Sequence, residues 1–182
     1  FISESILIGS SQDRKAVIIE KTPSRIALYT QAGSSIICTN HFQSEMFRND
    51  SLNVQQMRES STMYRFKRIQ QLMKRYAALN IRETASMLRD RSGLNDSSIG
   101  MGNEKALNQL IAHHSIIFKP EKLQVWVSTA PYQIGKYVAY DLNKVFSEYS
   151  HLDTNKEITE SALEIPADTF LFSKDFSNYK KF

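Results

Sequence analysis

The sequence predicts an α+β protein in which antiparallel sheets and helices are stacked as layers, and three observations carry that prediction. Four short segments rich in β-branched and apolar residues follow one another up to Thr39, linked only by turn-forming stretches. Two of those segments are apolar on both alternating faces, so a sheet built from them is covered on both sides. Residues 61–79 then carry the period of an amphipathic helix, which is what such a sheet face needs over it. In 182 residues this amounts to one domain of ordinary size, 1–150, with a tail, 151–182, packed on it.

The expected strands are Ser5 to Ile8, Ala16 to Ile19, Arg25 to Tyr29 and Ser35 to Thr39. Their links, SSQDRK, KTPS and TQAGS, are too short for a crossover helix, so neighbours pair as antiparallel hairpins. Ala16-Val17-Ile18-Ile19 and Ile36-Ile37-Cys38 are the segments that require cover on both faces.

In the helix Ser61 to Leu79, Met63, Phe66, Ile69, Met73, Tyr76 and Ala77 share one face, and Lys67, Arg68, Gln71, Lys74 and Arg75 lie opposite, towards water. Asn80 with Glu83 three residues on is a capping-box start for a second helix, Ile81 to Arg89, with Ala85 and Leu88 inward. The run LNDSSIGMGN is a long loop. Beyond it a strand ends at Phe118, a turn follows at Lys119-Pro120-Glu121-Lys122, and Leu123 to Ser128 makes a strand with Trp126 in the core. Tyr137 to Leu142 gives one more strand, and the tail contributes the apolar clusters Ile165 and Phe170-Leu171-Phe172.

Apolar residues at 41% against 23% charged exclude a disordered or fibrous chain. No apolar stretch reaches the roughly 20 residues of a membrane span. A single cysteine excludes an internal disulfide, and the four histidines have no zinc-type spacing. The charge is uneven: 57–91 holds nine basic residues against three acidic ones, a net +6 that leaves −2 for the rest of a +4 chain. A basic helical surface of that kind suits a binding module, but no recognition motif accompanies it, so no nucleic-acid partner is expected and the plainer reading is a solvated helix face.

Cys38 and His41 contain the elements of a nucleophile and its base. On an extended strand they face opposite ways, however, and Cys38 lies in an apolar run where thiols serve as filling. Asn40 stands where that run ends; its amide can donate to a developing oxyanion, or simply shape a turn. Arg65 lies on the flank of the expected helix, beside Leu72 and Tyr76, and a guanidinium at the edge of an apolar face needs a partner, either a structural carboxylate or a reacting group. His113 and His114 are adjacent and make no ligand pair, and the glycines between 93 and 102 match no phosphate loop.

The ordered set SESILIG, AVIIEKTP, CTNHF, SSTMYRFKRIQQLM and HHSIIFKPEKLQVWV resembles the C-terminal part of the acyl-coenzyme A:6-aminopenicillanate acyltransferase family, related to choloylglycine hydrolases and penicillin V acylases. The likeness runs from about Glu4 to Asp141, and its most specific pieces are Thr39-Asn40-His41-Phe42 and Ser60 to Arg68. It implies an N-terminal-nucleophile hydrolase, an αββα four-layer sandwich incomplete in this chain, acting on a small acyl amide or acyl thioester without a cofactor. In such enzymes the precursor cuts itself before a cysteine whose freed α-amino group serves as base for its own thiol. By motif position Asn40 is the oxyanion donor and Arg65 the arginine beside the nucleophile. That cysteine is expected on a segment upstream of Phe1, so this chain alone is expected to be inactive. Self-association into a homo-oligomer is left open.

Overall fold

A computed structural model describes residues 4–147 and 157–181. The chain divides into two compact units, one up to Arg75 and the other from Tyr76 onward. The expected boundary at 150/151 lies outside the described residues.

The first unit opens with β1 (Glu4–Ser10), β2 (Lys15–Lys21) and β3 (Ile26–Tyr29), an antiparallel sheet in the order β1-β2-β3. The hairpins form where turn chemistry placed them. Ser10 Oγ donates to the Asp13 carboxylate at 2.7 Å, and the Thr22 amide donates to the Arg25 carbonyl at 2.8 Å. Register sets Ile6 opposite Ile19, Ile8 opposite Val17 and Leu28 opposite Ile19, so these residues share a face. On the other face of β2, Ile18 and Glu20 are fully buried. The expectation that both faces are covered holds only in part. Val17 and Ile19 are half-buried, but Ile26 and Leu28 stay 59% and 65% exposed, so that apolar face is left partly open among the described residues.

The fourth expected strand does not form. Residues 35–39 join no ladder, and the Ile37 carbonyl accepts from the Gln43 side chain at 2.8 Å instead of from a neighbouring strand. β-Branched composition reports fitness for a buried, pleated surface, and Ile37 is indeed buried, but pairing needs a partner edge. Two helices follow, α1 (Ser51–Glu59), which sequence periodicity did not suggest, and α2 (Thr62–Met73), shorter than expected at its C-terminal end. Asp50 caps α1 by accepting from the Leu52 and Asn53 amides at 3.1 and 3.3 Å. The buried residues of α2 are Thr62, Arg68 and Leu72, whereas Met63, Phe66, Ile69 and Met73 are only half-buried. Arg68, expected in water, is 1% exposed. The buried positions are Ser61, Thr62, Arg68 and Leu72, mostly polar and displaced from the most apolar stripe, with Arg65 half-buried beside them.

In the second unit α3 (Ile81–Leu88) starts with the expected capping box. The Glu83 amide donates to Asn80 Oδ1 at 2.9 Å, and the Asn80 amide donates to Glu83 Oε2 at 2.8 Å. Strands β4 (Ile116–Lys119), β5 (Gln124–Ser128) and β6 (Tyr137–Asp141) form a second antiparallel sheet, followed by α4 (Leu142–Ser147) and, after residue 156, α5 (Lys174–Tyr179). Ile117, Trp126 and Ala139 face one way and pack with Ala85, Tyr137 and Ile165, with Ile81 and Leu88 against them. Trp126 is a core residue as expected, and its Nε1 donates to the Leu163 carbonyl at 2.8 Å. Ile165 exchanges two backbone hydrogen bonds with Tyr137, at 2.9 and 3.1 Å. Phe176 fills a second cluster with Leu110 and Ile134, flanked by Phe170 and Leu171. Among the described residues, no helix is long and apolar enough to cross a membrane.

Candidate functional site

Within the first unit a cleft of about 820 Å³ is lined by the turn Thr22–Arg25, by 38–42 and by the start of α1. Because 35–44 is not a strand, side chains must hold it, and each of the surrounding elements supplies one. From β2, Glu20 accepts from the Gln43 amide and, at 3.0 Å, from the Ser44 amide. From α1, Asn53 is 6% exposed and clamps Phe42 on both sides. Its Oδ1 accepts from the Phe42 amide at 2.8 Å, and its Nδ2 donates to the Phe42 and Phe47 carbonyls at 3.1 and 3.0 Å. From α2, the Thr62 hydroxyl lies 3.0 Å from His41 Nδ1 and 3.1 Å from the Thr39 hydroxyl, which itself is 3.0 Å from Nδ1.

Asn40 is the exposed apex of this stretch, and Arg65 Nη2 donates to its Oδ1 at 2.8 Å. The two residues singled out by sequence are thus in contact although 25 positions apart. An amide that accepts on its oxygen turns its nitrogen, a two-proton donor, the other way. At the cleft mouth the Arg25 guanidinium pairs with Asp50 and lies 4.9 Å over the Phe47 ring. That pairing, together with the backbone donors of α1, holds the Asp50 carboxyl below its usual range.

Cys38 and His41 both line the cleft, so the alternate-face argument against them does not apply: the strand on which it stood is absent. Chemistry disfavours the pair all the same. Burial pushes the Cys38 thiol up, away from the nucleophilic thiolate. Burial also pushes His41 down, with Glu20 partly opposing, and its Nδ1 is engaged by two threonine hydroxyls. The His41 ring packs edge-on against Phe66 at 5.5 Å. It is a neutral, packed histidine.

Sequence reasoning missed Glu20, Asn53 and Thr62. Glu20 had a legible signal, since an acid two residues after Ile18 shares that residue's buried face.

The basic stretch is not one surface. Arg65 is bonded to Asn40 and Arg68 is buried. Arg89 donates to the Gly135 and Pro166 carbonyls at 2.6 and 3.0 Å and stacks 4.9 Å over Tyr137. Arg91 pairs with Asp168 at 2.8 Å. Four of the nine cations are therefore engaged by partners or buried within their own unit. Among the described residues, no group of three or more His, Cys, Asp or Glu side chains could hold a metal ion.

Antiparallel sheets and helices occur in both units, a mixed α+β arrangement. The chain belongs to the family described as acyl-coenzyme A:6-aminopenicillanic acid acyl-transferase, which it matches over residues 3–131. No curated protein and no solved structure matches it.

Proposed function

We propose that this chain is the C-terminal portion of an autoprocessed cysteine amidohydrolase or acyltransferase, and that the cleft beside Asn40 is its reaction site. The observation that carries this reading is the Arg65–Asn40 hydrogen bond, formed between the two most family-specific pieces of the sequence and oriented to leave the Asn40 amide nitrogen as a donor.

The nucleophile is a cysteine outside these 182 residues. Cys38, the sole thiol of the chain, is half-buried, has its pKa raised and has its own nitrogen in a peptide bond, so no free α-amino group stands beside it. In the proposed reaction the α-amino group of the upstream cysteine takes the thiol proton, and the thiolate attacks the carbonyl carbon of an amide or thioester. The C–S bond forms, and the carbonyl electron pair moves to oxygen, where Asn40 Nδ2 donates to it. Collapse expels the amine or thiol, which leaves with the proton held on the α-ammonium. Water or an acceptor amine then attacks the acyl-enzyme and frees the thiol. Arg65 fixes the Asn40 amide and adds positive potential that favours thiolate over thiol.

The full fold in this reading is the αββα four-layer sandwich. Its inner layers require sheets with one apolar face open, and each unit by itself has one: Ile6, Ile8, Ile26 and Leu28 in the first, Ile116 and Phe118 with Val125 and Val127 in the second.

The test is a full-length precursor carrying its upstream segment. Self-cleavage that exposes an N-terminal cysteine, with hydrolysis or transfer of acyl groups from acylated amines, is expected. Activity that survives replacement of that cysteine sinks the reading.

A further inference from the structure

We infer that Glu20 is a positioning residue for Asn40, an inference that rests on the reading of Asn40 given above. Glu20 is the one acidic side chain in the buried class among the described residues, and it is fully buried next to the end of β2, directly after the apolar run Ala16 to Ile19. Burying a carboxylate is costly, and an isoleucine or valine would fill the position more cheaply. What a hydrocarbon cannot do is fix two consecutive amide groups. Glu20 takes the Gln43 amide on one oxygen and the Ser44 amide on the other.

Those two amides lie three and four residues beyond Asn40, on a stretch with no ladder of its own. Gln43, held from beneath by Glu20, reaches back through Nε2 to the Ile37 carbonyl and so closes the loop that contains residue 40. The carboxylate therefore sets both the height of the loop above β2 and its width. Asn53 and Thr62 fix the sides, and Arg65 orients the side chain at the apex. In Glu20→Gln the new amide nitrogen faces one of the two N–H donors, so one anchor is lost while shape is kept. A displacement of the oxyanion donor by a fraction of an ångström then appears in the chemical step.

The experiment is a double-mutant cycle in the processed full-length enzyme, pairing Glu20→Gln with Asn40→Ala. Alone, Glu20→Gln is expected to lower kcat about 10- to 100-fold with little change in KM. In the Asn40→Ala background it is expected to lower kcat less than about twofold, because no donor is left to misplace. A merely structural role would reduce kcat by the same factor in both backgrounds, and that outcome, or no loss in either, overturns the inference. Hydrogen exchange at the Gln43 and Ser44 amides provides a readout independent of turnover, and faster exchange at both is expected in Glu20→Gln. If Asn40→Ala keeps full activity, the assignment of Asn40 falls, and exchange alone decides whether Glu20 holds the loop. Should Glu20→Gln not fold, Glu20→Asp, which keeps the charge but reaches one amide at a time, takes its place in the same cycle.

Discussion

The Arg65 guanidinium donates to the side-chain oxygen of Asn40 at 2.8 Å, tying the first turn of α2 to an irregular loop. The bond leaves the Asn40 nitrogen pointing away from Arg65, and it makes the donor's direction depend on a helix as well as on the loop.

Asn40→Ala in the processed enzyme is expected to reduce kcat by about 10²- to 10³-fold, the usual effect of deleting one oxyanion donor, with a smaller change in KM. Arg65→Lys keeps the charge but loses the planar fork, and a smaller loss of kcat is expected. Steady-state kinetics on one acyl amide substrate measures both, and an unimpaired Asn40→Ala enzyme would contradict the assignment.

Cys38 should resist alkylation in the native state. Burial raises its pKa, so the labelling rate plotted against pH should rise later than for a free thiol, whose midpoint is about 8.5. Cys38→Ser should leave turnover essentially intact. Rapid stoichiometric labelling at neutral pH, with loss of activity, would restore Cys38 as a candidate nucleophile.

His41 links stability to pH in a defined direction. Its folded pKa is lowered by burial, so below the ordinary value of about 6.5 the unfolded chain binds a proton that the folded one does not. Its contribution is therefore complete above that value and declines as pH falls through 6.5 towards the lower folded pKa. Thermal melts between pH 7.5 and 5 should show the decline, and His41→Asn, with no ring to protonate, should flatten it.

Asn80→Ala removes half of the reciprocal cap on α3 and should cost about 1 kcal/mol. That corresponds to a drop in Tm of about 2–4 °C for a chain of this size. Asn80→Ser, which can still accept from the Glu83 amide, should restore most of it.

Ile165→Ala cuts into the core around Trp126 and should cost about 2–4 kcal/mol. Trp126 is the only tryptophan of the chain and is 3% exposed, so its emission reports on this unit alone. Denaturant titration followed by fluorescence should show the midpoint falling with the slope unchanged.

Elements whose signals are local were legible in the sequence. The Asn80/Glu83 box, the hairpin turns, the tryptophan strand and the central helix all appear at or close to their expected places. α1 was not, because its one buried residue is the polar Asn53 while Leu52 and Val54 face outward, the reverse of an amphipathic pattern. The segment 35–39 has a strand's composition, but composition carries no information on whether an edge is available. Arg68 was misplaced because the most apolar stripe of α2 is not its most buried one. For the site, the Asn40–Arg65 contact spans 25 positions, so no period could reveal it; motif order supplied it. The side chains that hold the loop are polar residues on β2, α1 and α2, each unremarkable until the chain is folded.

The Phe176 and Ile165 side chains also bear on the order of events at the ribosome. The strands and helices described for the first unit all precede Tyr76, so they leave the ribosome before the second unit is made. The second has its sheet by Asp141, yet two of its interior positions are vacant until Ile165 and Phe176 emerge. A nascent chain stalled between those points would expose the Trp126 and Leu110 surfaces to chaperones, which makes this interval the vulnerable one in biosynthesis.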